Sequence, residues 1–516
     1  MALASCKTFA LEGVIAHIVD IEANIGPGLP GIHVVGRTDT AISESRQRIK
    51  TAIINSKLSW PKTKIVVSLS PASLPKSGSH FDLPLAVAIL LAGMQAQDEQ
   101  LAADGYATWG TESFAEKIAN TLFLGELGLD GSIRPVPGLL SATVAAHKQG
   151  FRTLVIPPGN AAEAQLVKDV RVLIAHNLRE VFDWLRGTAV LKTPSHEPPP
   201  PRQQLMDFAE IAGQHEAKFA VEVAAAGGHH LMMIGPPGSG KSMLAARIPS
   251  ILPELSTAQS VESTAIHSLA GAMGNVIAHA PFISPHASLS RPALLGGGYG
   301  NPRPGAVSLA HNGVLFLDEA SEISPAVLDG LRAPLEDGEV RLARAQREIT
   351  YPARFQLVMA ANPCRCAAED PSKCVCRSTA RQDYLRNISG PLRDRLDIVL
   401  ELSSQQALLH TTDEESSATI AARVTLARER AAYRWKTHGL SVVHNAAMPS
   451  TYLRRHCAAD ETAMALVSAY LAEGQLSQRG VDRCLKLAWT LCDLEGEDSP
   501  GLDHIAQALS LRGEGF

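Results

Sequence analysis

The sequence predicts a multidomain α/β protein, with an α/β N-terminal region, a phosphate-binding α/β core and a helical C-terminal region. Three observations carry that expectation. A glycine-rich loop separates an apolar run from a helical pattern in "LMMIGPPGSGKSMLAARI", beginning at Leu231. β-like apolar runs alternate with helical patterns from residue 205 to about residue 402. Beyond them, "SATIAARVTLARERAAYRWK" has the composition and spacing of an amphipathic helix.

At 516 residues the chain exceeds a single ordinary core. The segment "TPSHEPPPPRQQ" contains four consecutive prolines, which fit neither a helix nor a central strand and read as a spacer. The expected organisation is residues 1–190, a linker at 191–204, a core at 205–403 and a helical region at 404–516. Apolar residues at 45% and charged residues at 19% suit globular domains. A net charge of −5 argues against a uniformly basic surface but allows a locally basic groove. The first residues, "MALASCKTFALEGVIAHIV", lack an export pattern, and the apolar run "LPLAVAILLAG" is too short to span a bilayer. A cytoplasmic protein with reduced thiols and no membrane partner is therefore expected.

Gly235-Pro236-Pro237-Gly238-Ser239-Gly240-Lys241-Ser242 fits the phosphate-loop pattern, and Met243 opens the helix behind it. Glycines let backbone N–H groups turn inward around phosphate oxygens, and the helix start adds partial positive charge. Lys241 would bridge the β- and γ-phosphates of ATP, and the Ser242 hydroxyl would ligate Mg²⁺. A second apolar run, "GVLFLDEAS", ends in Asp318, expected to hold Mg²⁺ or its water, and Glu319, expected to orient and deprotonate the attacking water. A third, "RFQLVMAANP", ends in Asn362, placed to touch the γ-phosphate or that water. Together and in this order these residues specify an ATPase of the AAA+ class.

"GNPRPGAVSLAHNGVLFLDE", "LRAPLEDGEVRLARA" and "ARFQLVMAANPCRC" resemble the magnesium-chelatase-like AAA+ ATPases, and nearly the whole chain is similar to the ComM/YifB family within them. The resemblance implies an arginine finger in "SGPLRDRLDI" at Arg395, with Arg393 as the second candidate. It implies a lid with a sensor arginine in "LSQRGVDRCLKLAWTL", Arg479 first and Arg483 second. A finger reaches a neighbour's γ-phosphate, so a homo-oligomeric ring, most simply a hexamer, is implied.

Residues 1 to about 185 look similar to the proteolytic domain of Lon proteases, an α/β fold of the ribosomal S5 type. In that alignment the catalytic serine position falls on His80 and the lysine position on Leu140. A Ser–Lys dyad needs a base, which leucine cannot be, and Ser79 and Lys76 are poor substitutes. The domain is therefore expected to be non-proteolytic, with Ser79 and His80 serving packing or capping. Arg46, Arg48, Lys50, Lys62 and Lys64 lie near one another in sequence and could meet phosphates or simply face water. Residues 97–120 have no functional reading.

Asp318 follows Ser242 after a long gap, part of which is filled by "LAGAMGNVIAHAPFISPHASLSRPALLGGGYGNPRPG", whose glycines and prolines suggest loops or a hairpin rather than added core. Past the Asp-Glu strand, "EDGEVRLARAQREITYP" reads as two short strands carrying Arg341, Arg344 and Arg347. In the family such a hairpin points into a central pore, where guanidinium groups could grip a DNA backbone; ion pairing between subunits is the plainer reading. Cys364, Cys366, Cys374 and Cys376 crowd into thirteen residues directly after Asn362. Four reduced thiols can form a tetrahedral Zn²⁺ site that stiffens a loop too small for its own core; reversible oxidation and free thiols are the alternatives.

The resemblance thus implies a ring-forming, Mg²⁺-dependent ATPase acting on single-stranded, double-stranded or branched DNA, with branch migration during recombination of incoming DNA as its task. The alternatives are a metal-chelatase motor subunit and an ATP-driven protein remodeller.

Overall fold

The computed structural model describes residues 2–35, 40–74, 76, 78–103, 117–195, 205–298, 302–344, 347–368, 373–403, 414–440, 442 and 444–513. Most of the proline-rich linker and the middle of the 97–120 segment lie outside the described residues. The chain divides into two compact units. The first is Met1–Pro200 with Thr257–Ile277 and Gly300–Arg303; the second is Pro201–Ser256, Ala278–Tyr299 and Pro304–Phe516.

The first unit is built on a seven-stranded mixed sheet. β1 (Ala2–Glu12) and β2 (Ile15–Gly26) form a long hairpin, in register from Ala2↔Ile25 to Glu12↔Ile15. β3 (Gly31–Val35) and β4 (Lys64–Ser70) extend one side, flanking the helix α1 (Thr40–Asn55) in sequence. β5 (Thr121–Phe123), β6 (Thr153–Ile156) and β7 (Arg171–Ile174) extend the other, giving the order β3-β4-β2-β1-β5-β6-β7. β1, β2 and β4 pair antiparallel; the remaining pairings are parallel.

α2 (Asp82–Ala103) packs on β1 and β2, and α4 (Leu178–Leu185) follows β7. α2 prolongs the apolar run "LPLAVAILLAG" into the one described helix long and apolar enough to cross a membrane, yet 72% of its most apolar window is buried inside the protein. That burial supplies another reason for its composition: a helix apolar on every side belongs in a core. Within this unit, α3 (Leu139–Lys148) lies against a helix from the distant insert, α7 (Thr257–Ala270). Ser268 Oγ accepts from the Gly138 N–H at 3.1 Å. Gly138 has φ +74°, where a side chain would be strained, and an added Cβ would sit 2.4 Å from Leu11 Cδ1 and force that leucine to shift. The insert therefore adds a packed helix to the first unit. Sequence reading of its glycine-rich half could not show this, because the helix precedes that half.

The second unit centres on five parallel strands: β8 (Leu231–Ile234), β9 (Phe282–Ile283), β10 (Val314–Leu317), β13 (Gln356–Ala361) and β14 (Ile398–Glu401). Their order is β9-β10-β13-β8-β14. Alternate residues feed two cores. Leu231, Met233, Val314 and Phe316 enter one; Met232, Ile234, Leu315 and Leu317 enter the other. Burial on both faces explains the unbroken apolar runs, as expected of parallel strands. α5 (His215–Gly227) and α6 (Lys241–Ile251) share the first core with the C-terminal helices α9 (Ser417–Thr437), α10 (Ser450–His456), α11 (Glu461–Ala472), α12 (Gln478–Glu495) and α13 (Leu502–Leu511). Ser416 and Ser477 cap α9 and α12 by accepting backbone N–H groups. Fully buried Trp435 donates its Nε1–H to Asn445 Oδ1 at 2.9 Å and meets Trp489 edge-on at 5.9 Å.

β11 (Glu339–Arg344) and β12 (Arg347–Pro352) form the hairpin expected from the sequence, in register from Glu339↔Pro352 to Arg344↔Arg347. α8 (Ser378–Arg386) follows the cysteine segment.

Candidate nucleotide-hydrolysis site

The loops after β8, β10 and β13 open at the same, C-terminal edge of the sheet, because neighbouring parallel strands end together. Ligands of open α/β sheets bind at this edge. The loop 235–240 leaves β8 and enters α6 with Gly238 at φ +76° and Gly240 at φ +84°. Gly240 is closely backed: a Cβ there would meet Gln214 Nε2 at 2.9 Å. Gln214 itself has φ +54°, is buried, and donates from Nε2 to Ser239 O at 3.2 Å. Sequence reading missed this residue. Its one local signal is a Gly-Gln pair just ahead of a helix, and its partner stands 25 positions away.

Lys241 is buried, and its ammonium donates to Gly235 O and Pro236 O, both at 2.8 Å. It lies 3.3 Å from Asn362 Oδ1. Burial draws the Lys241 pKa below its ordinary value, with Asp318 pulling the other way. The Ser242 hydroxyl donates to Asp318 Oδ2 at 2.7 Å across 76 residues of sequence. Asp318 Oδ1 accepts from the Glu319 N–H at 2.9 Å, and Glu319 is exposed with φ +48°. A left-handed conformation at a non-glycine residue costs energy of order 1–3 kcal/mol and persists only where surrounding structure holds it. Structure thus brings Lys241, Ser242, Asp318, Glu319 and Asn362 to one sheet edge. These residues fit Mg²⁺-ATP: a hydroxyl and a carboxylate already share one hydrogen bond, and an ammonium sits in a glycine-built loop.

The arginines differ in placement. Arg395 forms an ion pair with Glu336 of its own chain and donates to Pro391 O. Arg479 is exposed at the start of α12 with Asp394 at 3.7 Å. Arg483 is turned inward: its Nε lies 3.4 Å from Asp397 Oδ1, and Nη1 donates to Leu396 O at 3.0 Å. Burial lowers the Arg483 pKa while Asp397 opposes that shift. Asp397 also accepts from the His230 N–H at 3.2 Å and faces His229 Nδ1 at 3.4 Å. Arg483 therefore belongs to a buried network joining α12 to the sheet.

Arg341 is exposed and pairs with Glu339 at 2.6 Å. Register sets Arg344 opposite Arg347 and Arg341 opposite Thr350. The side chains of Arg344 and Arg347 lie outside the described residues.

Cys364 Sγ lies 3.2 Å from Cys366 Sγ and 3.4 Å from Cys374 Sγ, and Cys366 and Cys374 are 3.5 Å apart. All four sulfurs, Cys376 included, lie within 4.8 Å of one another.

In the first unit, Leu140 is fully buried at the position aligned with the Lon lysine. His80 stacks on Phe9 at 4.7 Å and approaches Phe9 O at 3.0 Å, and burial pushes its pKa down to about 4. Ser79 donates to the Glu126 carboxylate, and Lys76 Nζ to Pro71 O. Arg48 is not available to a phosphate: Nε and Nη2 grip the buried Asp82 carboxylate at 2.6 and 3.0 Å, because a buried carboxylate demands a charged partner.

Three family models match: "Subunit ChlI of Mg-chelatase" over residues 21–160, "Magnesium chelatase, subunit ChlI" over 207–409, and "Magnesium chelatase, subunit ChlI C-terminal" over 414–512. The chain is 47% identical to an uncharacterised protein of Mycobacterium tuberculosis, covering 100% of this chain and 99% of the relative. It is 40% identical to the protein YifB of Escherichia coli, covering 99% and 97%. It is 36% identical to the competence protein ComM of Haemophilus influenzae, covering 99% and 98%. A weaker likeness, 26% identity over 222 residues, covers 40% of the chain and 24% of Lon protease 1 of Myxococcus xanthus. With full-length relatives at this identity and a phosphate loop, paired carboxylates and an asparagine at one sheet edge, the chain belongs to the ComM/YifB family of magnesium-chelatase-like AAA+ ATPases.

Proposed function

We propose that this protein is a ring-forming, Mg²⁺-dependent ATPase that moves along or remodels DNA, with branch migration in recombination as its task. The observation that carries the ATPase part is the 2.7 Å Ser242–Asp318 pair beside Lys241 and Asn362. In this reading the 235–240 loop and Lys241 bind the phosphates of ATP, Lys241 exchanging its carbonyl partners for phosphate oxygens. Ser242 and Asp318 would hold Mg²⁺, which supplies charge neutralisation on the phosphates when bound. Glu319 would take a proton from the attacking water, and Asn362 would fix that water or the γ-phosphate.

Arg395 would leave Glu336 and reach the nucleotide of the adjoining subunit, making a ring, most simply a hexamer, the active form. α9–α13 would act as the lid, with Arg479 as the sensor arginine; Arg483, held by Asp397, would brace the lid. Arg341, Arg344 and Arg347 would contact the phosphate backbone of single-stranded, double-stranded or branched DNA in the pore, which needs charge and little base recognition. The first unit would be a non-proteolytic, Lon-like domain of the ribosomal S5 type, consistent with buried Leu140 and with Ser79 directed to Glu126. The proteins named as chelatase subunits favour a second reading, a motor that acts through a protein partner.

Mixing two inactive variants tests the shared site. Lys241→Ala subunits keep the finger and lose the phosphate lysine; Arg395→Ala subunits do the reverse. Restored ATP hydrolysis in the mixture, stimulated by DNA, is expected. No restoration removes the finger in trans, and activity indifferent to DNA favours the chelatase-type motor.

A further inference from the structure

We propose that Cys364, Cys366, Cys374 and Cys376 hold one Zn²⁺ ion, and that this ion fixes the γ-phosphate-sensing Asn362 and the turn behind Glu319 as one rigid body. Metal binding stands on the thiol geometry alone; its effect on rate rests on the ATPase reading above.

A zinc ion with four thiolates at about 2.3 Å places its sulfurs about 3.8 Å apart. Three pairs here stand at 3.2–3.5 Å, and all four sulfurs fall within 4.8 Å. These separations exceed the about 2.05 Å of a disulfide, and all four cysteines are free. Such a compact set suits a single ion, whereas an iron–sulfur cluster spreads its thiolates over several metals. Soft thiolate donors in tetrahedral array select zinc.

Among the described residues, the segment brings little apolar side chain of its own to hold it closed. Of the four cysteines only Cys364 is buried, and Val375, the bulky apolar residue between the last two, is 88% exposed. A loop without a core needs a staple. Charge agrees as well. Binding converts Zn²⁺ and four thiols into a tetrathiolate carrying two negative charges and releases four protons. Arg365, Lys373 and Arg377, each adjacent in sequence to a ligand, oppose that charge.

Position gives the site its consequence. Asn362 precedes Cys364 by two residues, and α8 starts two residues after Cys376. From α8, Tyr384 hydrogen-bonds Glu322. Asn387, just past α8, donates to Ser321 O at 2.8 Å. Ser321 and Glu322 form the turn that begins at Glu319. One ion therefore ties the end of β13 to a helix braced against the turn of the water-activating carboxylate. These four cysteines are positioning residues, since none need touch ATP.

The test starts with full-length protein purified without chelator from zinc-supplemented medium. Elemental analysis should find one zinc per chain, lost on thiol modification with a mercurial, which a zinc-sensitive dye would record. Replacement by Co²⁺ should give the thiolate charge-transfer and visible bands of a tetrahedral S₄ site. Stripping should lower kcat about 10- to 100-fold with little change in KM for ATP, the size expected when a catalytic group is displaced without losing substrate contacts. Re-addition of Zn²⁺ should restore it. Cys366→Ser with Cys374→Ser should reproduce the loss, and reversible stripping of the wild type covers the case in which that variant does not fold. Substoichiometric zinc with four freely titrating thiols, or iron in its place, overturns the metal assignment. Full zinc whose removal leaves kcat unchanged overturns the coupling. A protein that binds zinc and hydrolyses no ATP instead refutes the ATPase reading and leaves the metal site standing.

Discussion

Lys241 illustrates how one side chain connects sequence to chemistry. Its ammonium is buried against two loop carbonyls, and burial lowers its pKa, so an anionic ligand that displaces those carbonyls gains a poorly hydrated cation. Lys241→Ala should abolish hydrolysis and weaken nucleotide binding. Glu319→Gln should keep binding while hydrolysis drops at least about 100-fold, the scale of losing a general base. Steady-state hydrolysis alongside binding of a fluorescent ATP analogue separates the two. Away from the site, Asp82→Ala leaves the half-buried Arg48 without its carboxylate partner and the Leu127 N–H without its acceptor. It should cost roughly 3 kcal/mol, read as a lower urea midpoint for the first unit.

At the scale of elements, the hairpin β11–β12 and the strand–loop–helix at Leu231–Ile251 were legible in the sequence because each is specified by neighbours in the chain. Alternation, a turn and a glycine pattern suffice for them. What escaped was set by distance along the chain. Arg48 could be counted as a free cation until Asp82, 34 residues on, was found beneath it. Gln214 behind the phosphate loop, Glu336 beside Arg395 and Asp397 beneath Arg483 likewise depend on packing that no local pattern encodes. Sequence reading passed over the helix Thr257–Ala270, and its membership of the first unit is a tertiary fact. For the hairpin, replacing Arg341, Arg344 and Arg347 together by Ala should weaken DNA binding. It should also flatten the dependence of log K on log salt, by about 0.7 per lost single-strand contact. Filter binding across a salt series checks it, and an unchanged slope would assign these arginines to ion pairs such as Arg341–Glu339.

Across the whole molecule, stability carries a histidine signature. Burial lowers His80 and His230 from 6.5 to about 4 and His444 to about 3. Each is held neutral in the folded state, so between the unfolded value near 6.5 and those lower values the unfolded chain binds more protons. Stability should therefore be flat near neutrality and fall as pH drops from 6.5 towards 4. Thermal melts across that range would show it, and a melting temperature constant down to pH 4 would contradict it. In the proposed function, this is the scale at which an assembled ring would convert ATP hydrolysis into movement of DNA. The most direct measurement follows a synthetic four-way junction and ATP consumption together, for the wild type and for Glu319→Gln. The account predicts that the wild type separates the junction into duplexes only while hydrolysing Mg²⁺-ATP, and that Glu319→Gln binds the junction without resolving it. Brisk hydrolysis with no strand movement, or movement that persists in Glu319→Gln, would contradict it.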